Sequence, residues 1–118
     1  TSDYTFGYEL RKWHPGTDYT KSYSAGLHGG ILLDDIHAID LFEHLFGKPV
    51  DVKGYLINTG ILNIKNEDIA EYILKTDNGF TGRIHSDYYS IEYTRNMRIL
   101  GSQGILEWNM ELTDNNEF

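Results

Sequence analysis

One stretch of this chain has a strong helical period, and almost everything after it has the period of a strand. Between positions 31 and 46 the residues Ile31, Leu32, Leu33, Ile36, Ile39, Phe42, Leu45 and Phe46 recur at spacings of three and four, the pattern of an amphipathic helix. Gly47 ends that pattern and Pro49 closes it. Downstream, residues 50–58, 69–76, 80–88, 93–100 and 105–110 read as strands. Asp77-Asn78-Gly79 and Gly101-Ser102-Gln103-Gly104 supply hairpin connections. Upstream, residues 3–13 alternate imperfectly and predict one more strand. Residues 14–30, with Pro15, Gly16, Gly26, Gly29 and Gly30, predict a long loop. A lone helix among strands must bury its stripe on a sheet. The expected fold is therefore α+β in two layers: a mostly antiparallel open sheet, run as a meander, with one main helix on a face. Leu33, Ile36 and Ile39 are expected to point into its core.

Composition narrows the function. A chain of 118 residues is one domain's worth. Its 18 acidic against 10 basic residues leave no basic footprint for nucleic acid. With no cysteine there is no disulfide framework, thiolate metal site or cysteine nucleophile. No apolar run is long enough to span a bilayer, and no secretory signal is visible, so the expected compartment is the cytoplasm. The chain opens on Thr1 and its methionines are Met97 and Met110, which suggests a processed product, a cloned domain or a fragment.

The helix carries the chemistry. Asp34, His37 and Asp40 stand at i, i+3 and i+6, within roughly 120° of a helix circumference. A histidine titrates near neutrality, as a general base requires. One flanking carboxylate could hold its tautomer and the other bind a polyol hydroxyl. The same spacing also fits a solvated polar face. His37, Asp40 and His44 have ligand-like spacing for zinc or iron, although no His-Glu-x-x-His motif occurs. Gly26-Leu27-His28-Gly29-Gly30 is no dinucleotide fingerprint; it makes a turn or lets backbone approach a ligand. Trp13, His14, Tyr19 and Tyr23 on the preceding loop offer stacking faces and hydroxyls suited to a sugar, or pack that loop on the sheet. Arg95 is expected in a cross-strand or rim ion pair, and His85 and His44 in structural or surface roles.

The run from Gly29-Gly30 through Asp34-Asp35-Ile36-His37-Ala38-Ile39-Asp40 to Leu45-Phe46-Gly47 resembles a signature of the Gfo/Idh/MocA oxidoreductases. Trp13-His14-Pro15 with Tyr19 and Tyr23 resembles the segment before that helix in members linked to sugar and surface-polysaccharide biosynthesis. Arg95 and Ile99-Leu100-Gly101-Ser102-x-Gly104 resemble the later strands. The resemblance covers roughly residues 8–110, and it implies a second domain whose partner is an N-terminal Rossmann domain binding NAD or NADP. Residues 1–118 are then one domain of a two-domain chain, with that Rossmann domain absent.

The implied reaction moves a hydride between nicotinamide and a carbinol carbon of a sugar, polyol or nucleotide-sugar. His37 takes the acid–base role, and Asp40 orients it or binds substrate hydroxyls. Asp34 takes the acidic position, although many members place that acid four residues before the histidine rather than three. Ala38 stands where many relatives have Glu. Gly29 and Gly30 would allow close approach of the cofactor, and no metal is implied. The isolated chain is expected to bind no NAD and to be inactive. The parent is expected to be a homo-oligomer through the sheet. The alternative is a non-catalytic oligomerisation or protein-binding module.

Overall fold

A computed structural model of the chain describes residues 1–12, 18, 19 and 29–110. Six strands form one sheet: β1 (Ser2–Gly7), β2 (Pro49–Ile57), β3 (Ile69–Thr76), β4 (Thr81–Asp87), β5 (Thr94–Leu100) and β6 (Ile105–Met110). A 3-10 turn at Leu10–Lys12 follows β1, and two short helices, α1 (Ile31–Asp34) and α2 (His37–Phe46), precede β2. No helix among the described residues is long and apolar enough to cross a membrane.

The strand order is β2-β3-β4-β1-β5-β6, which corrects the expected meander. β1 lies between β4 and β5, parallel to the first and antiparallel to the second. Side chains alternate across a strand, and β1 uses the alternation fully: Ser2, Tyr4 and Phe6 are buried on the helix side. Tyr4 sits in register between Ile84 and Met97. A strand so buried fits the middle of a sheet, where both its edges are hydrogen-bonded. It also ends earlier than its alternation suggests. A Cβ at Gly7 would stand 2.1 Å from Ser90 Oγ and 2.8 Å from the Asp87 carboxylate, because the β4–β5 connection closes over the strand's end.

The helix also departs from its periodicity, which predicts one element over 31–46. The chain breaks at Asp35-Ile36: Asp35 lies at φ −107° and ψ 35°, and the amides of Ala38 and Ile39 bond three residues back, to the Asp35 and Ile36 carbonyls. The inward stripe is Ile31, Asp35, Ala38 and Phe42, all buried. Leu33 and Ile36 are instead 51% and 39% exposed, and Ile39 is half-buried. The true stripe has helical spacing, but its second member is a carboxylate, so an apolar pattern skips over it. Phe42 rests on Gly82 of β4, where a Cβ would come within 2.5 Å of the ring. Gly82 therefore sets how closely the helix lies on the sheet.

Candidate functional site

The break at Asp35 organises everything around the candidate residues. Asp35 is 2% exposed. Its carboxylate accepts hydrogen bonds from Ser86 Oγ at 2.7 Å and Tyr4 OH at 3.2 Å. Arg95 approaches to 3.7 Å, its guanidinium lying 4.7 Å over the Phe6 ring. Burial lifts the Asp35 pKa above the ordinary carboxylate value; the Ser86, Arg95 and Tyr4 contacts and the charge of nearby His37 work against that rise. The Tyr4 hydroxyl is pushed upward by its own burial and by the Asp35 charge. Three strands thus hold one carboxylate at the helix junction. Arg95 does form an ion pair, but with a buried partner beneath the helix rather than at a rim.

Asp34 points elsewhere. The hydroxyl of Tyr88, a fully buried side chain, donates to Asp34 Oδ2. His37 opens α2, its side chain is exposed, and Asp40 one turn on is exposed as well. Within the described residues neither side chain makes a hydrogen bond or ion pair. The even spacing of Asp34, His37 and Asp40 presumes an unbroken helix. In the fold Asp34 belongs to the segment before the break and is held by the β4–β5 connection.

The glycine pair is buried. Gly30 has φ 113°, and a Cβ there would stand 2.5–2.9 Å from the Glu67 carboxylate. Glu67 also bonds the first turn of α1, its carbonyl accepting from Ile31 N and its Oε1 from Leu32 N. The close approach that Gly30 permits is therefore to Glu67. The Tyr19 hydroxyl donates to the Leu62 carbonyl at 2.9 Å, and its ring packs against the core. Trp13, His14 and Tyr23 lie outside the described residues. Among the described residues no three His, Cys, Asp or Glu side chains come together to hold a metal. An apolar groove of about 380 Å³ runs beside β2, walled by Leu32, Ile39, Val52 and Tyr72, and none of the candidate residues lines it.

Nor do the described residues form a dinucleotide cradle. The one parallel pair, β1 with β4, is not joined by a strand–glycine loop–helix crossover of the kind that binds a pyrophosphate, and the space beside Gly30 is taken by Glu67.

A crossed, mostly antiparallel sheet with a broken helix over its middle and a buried acid fixing the break defines an α+β domain. The family model for the GFO/IDH/MocA C-terminal domain matches residues 4–107, and the chain belongs to that family. Similar solved structures include GenD2 from gentamicin A biosynthesis in complex with NAD, at 20% identity and TM-score 0.71, over 92% of this chain and 30% of that one. An NADPH-dependent oxidoreductase assignment from Desulfitobacterium hafniense aligns at 15% identity and TM-score 0.75, over 94% and 32%. A structure assigned as a myo-inositol dehydrogenase from Sinorhizobium meliloti aligns at 24% identity and TM-score 0.66, over 90% and 32%. This chain spans about a third of the length of these proteins. Comparison with curated proteins gives no match.

Proposed function

We propose that this domain is the substrate-binding and acid–base half of an NAD(P)-dependent oxidoreductase acting at a hydroxyl or carbonyl carbon of a sugar, polyol or nucleotide-sugar, with surface-polysaccharide biosynthesis as its setting. The observation that carries the reading is the state of His37. Its ring is exposed at the start of α2 and makes no hydrogen bond among the described residues, while the two acids before it are fixed by Tyr88, Tyr4 and Ser86. The family match over 4–107 supports it, as does the chemistry of its neighbours, one bound to NAD and one assigned to inositol oxidation.

In this reading a nicotinamide held by the N-terminal Rossmann domain gives or takes the hydride. His37 takes the substrate hydroxyl proton, or returns it in the reductive direction. Asp40 binds a neighbouring substrate hydroxyl or steadies the imidazole. Trp13, His14 and Tyr23 are assigned to sugar binding by their side-chain chemistry, and the reaction runs in the cytoplasm. General acid–base catalysis is worth about 10²–10⁴-fold, so His37→Ala in the full-length enzyme should lose that much in kcat with a smaller change in KM. Unchanged kcat rejects the assignment.

A second role is supported by the sheet's other face. Tyr55 and Ile73 are 74% and 51% exposed there, diagonal neighbours across β2 and β3 that a second copy would cover. We assign that face to contact between copies of the protein. Sedimentation of the full-length protein as a monomer at micromolar concentration would remove this role without touching the first.

A further inference from the structure

The sheet face opposite the helices carries a cluster that the acid–base reading does not use. His85 on β4 stands between two carboxylates: Nδ1 lies 2.5 Å from Glu71 Oε2 on β3, and Nε2 lies 2.8 Å from Asp87 Oδ2. A carboxylate only accepts hydrogen bonds, and a neutral imidazole has one N–H and one lone pair. A neutral ring would therefore aim its lone pair at a carboxylate oxygen, and only the imidazolium satisfies both contacts. With both nitrogens engaged, His85 has no free position from which to move a proton on a ligand.

The two carboxylates are not equivalent. Glu71 has a second cation, Arg83, whose NH2 lies 2.5 Å from Oε1; Arg83 also reaches Asp3 of β1 at 3.6 Å. Thr5, the register neighbour of His85 on β1, carries no charge, and Tyr55 of β2 stands opposite Glu71. Among the described residues Asp87 has no cationic contact but His85, and it is the more buried of the two acids. Asp87 also organises the start of the β4–β5 connection, accepting from Tyr89 N and Ser90 N at 2.8 Å and from Ser90 Oγ at 3.1 Å. That connection carries Tyr88, which holds Asp34, and Tyr89, whose hydroxyl bonds Asp68.

We propose that His85 is a proton-gated staple: as an imidazolium it fastens β3 to the β4–β5 connection, and on losing its proton it strips Asp87 of its cation and loosens that connection and its grip on Asp34. The pKa of the ring agrees with this arrangement. It is raised above 6.5, first by the hydrogen bond to Asp87, with burial opposing and Glu71 adding to the rise. The staple is closed below that raised value and opens as pH climbs through it. The inference does not depend on His37 being catalytic.

The test uses nitrogen-15 NMR of the histidine rings together with amide hydrogen exchange of the 118-residue chain, from about pH 5 to 9. Both His85 nitrogens should still be protonated at about pH 6.5, the ordinary histidine midpoint. Once His85 deprotonates, the Tyr89 and Ser90 amides should exchange about tenfold faster after correction for hydroxide catalysis, the size expected for one charge-assisted hydrogen bond. His85→Gln should abolish that transition, and His44→Gln should leave it unchanged. A singly protonated His85 ring at about pH 6.5, exchange that ignores the His85 transition, or the same transition in His85→Gln would each overturn the proposal. The wild-type titration decides the matter alone if the variant fails to fold.

Discussion

The buried carboxylate of Asp35 gives the sharpest test of how the helical segment is held. Asp35→Ala leaves two buried hydroxyls, Tyr4 and Ser86, without their acceptor, and removes the negative partner of Arg95. A buried polar group left unpaired costs about 1–3 kcal/mol. The Arg95 contribution is small, because the contact is 3.7 Å and the side chain is 22% exposed. One effect works in the other direction. Burial lifts the Asp35 pKa, so the ionised form is itself a liability at neutral pH that the alanine removes.

The net loss should be about 3 kcal/mol, or roughly 10–15 °C in Tm for a domain of this size. Asp35→Asn keeps an acceptor for Ser86 and carries no buried charge, so it should stay within about 1 kcal/mol of wild type. A raised carboxyl pKa means that wild type gains stability as pH falls through the folded value. The wild type should therefore gain on Asp35→Asn in mild acid. Urea unfolding followed by far-UV circular dichroism measures all of this. The reasoning fails if Ala costs no more than Asn, or if the wild type and Asn curves keep a constant separation with pH.

The Glu71–His85–Asp87 cluster predicts a stability dome. Burial opposes ionisation of Glu71 and Asp87, but His85, Arg83 and the Tyr89 and Ser90 amides hold both pKa values below the ordinary range, so their contribution is lost as pH falls through the folded values. His85 is raised, so its contribution is full below 6.5 and lost as pH rises through its folded value. Tm against pH for His85→Gln should lack the alkaline fall, and an unchanged alkaline flank would sink the idea. Tyr88→Phe removes the hydroxyl that holds Asp34 and should cost about 1 kcal/mol in urea unfolding; a neutral result would mean that water replaces the bond without loss. Gly82→Ala and Gly47→Ala should each cost about 1–3 kcal/mol for different reasons. The first drives a methyl into the Phe42 ring, whereas the second meets nothing within 4 Å and only strains a backbone at φ 95°. A double-mutant cycle with Phe42→Leu should therefore show coupling to position 82 and none to position 47.

Strand content was legible wherever alternation and a local turn coincided. β3 and β6 run over the residues that their patterns predict, and β2, β4 and β5 differ only at their ends. Each pairs with a strand next to it in chain order, so local signals suffice. β1 is different. Its partners are residues 82–87 and 94–99, far along the chain, and nothing in residues 2–7 names them. The meander was the expectation because adjacent strands usually pair. The insertion of β1 follows from where two buried aromatics, Tyr4 and Phe6, find cover on both sides.

The site shows the same division at finer scale. The outward placement of His37 and Asp40 was legible because both fall on the polar face of the helical pattern, free of packing demands. Asp35 is passed over by the sequence pattern, since periodicity counts apolar residues and a buried carboxylate breaks the count. Its signal was present in the spacing 31, 35, 38 and 42, where an acid occupies a core position of an otherwise apolar stripe. Such an acid is costly unless other elements pair it, so its position implies donors on the facing sheet. Those donors, Tyr4, Ser86 and Arg95, come from three strands dispersed along the sequence and meet only because β1 lies between β4 and β5. The crossed topology and the break in the helix are thus one structural fact. Interposing β1 places Tyr4 beside Ser86, the two hydroxyls receive Asp35, and the chain turns there to start α2 at His37.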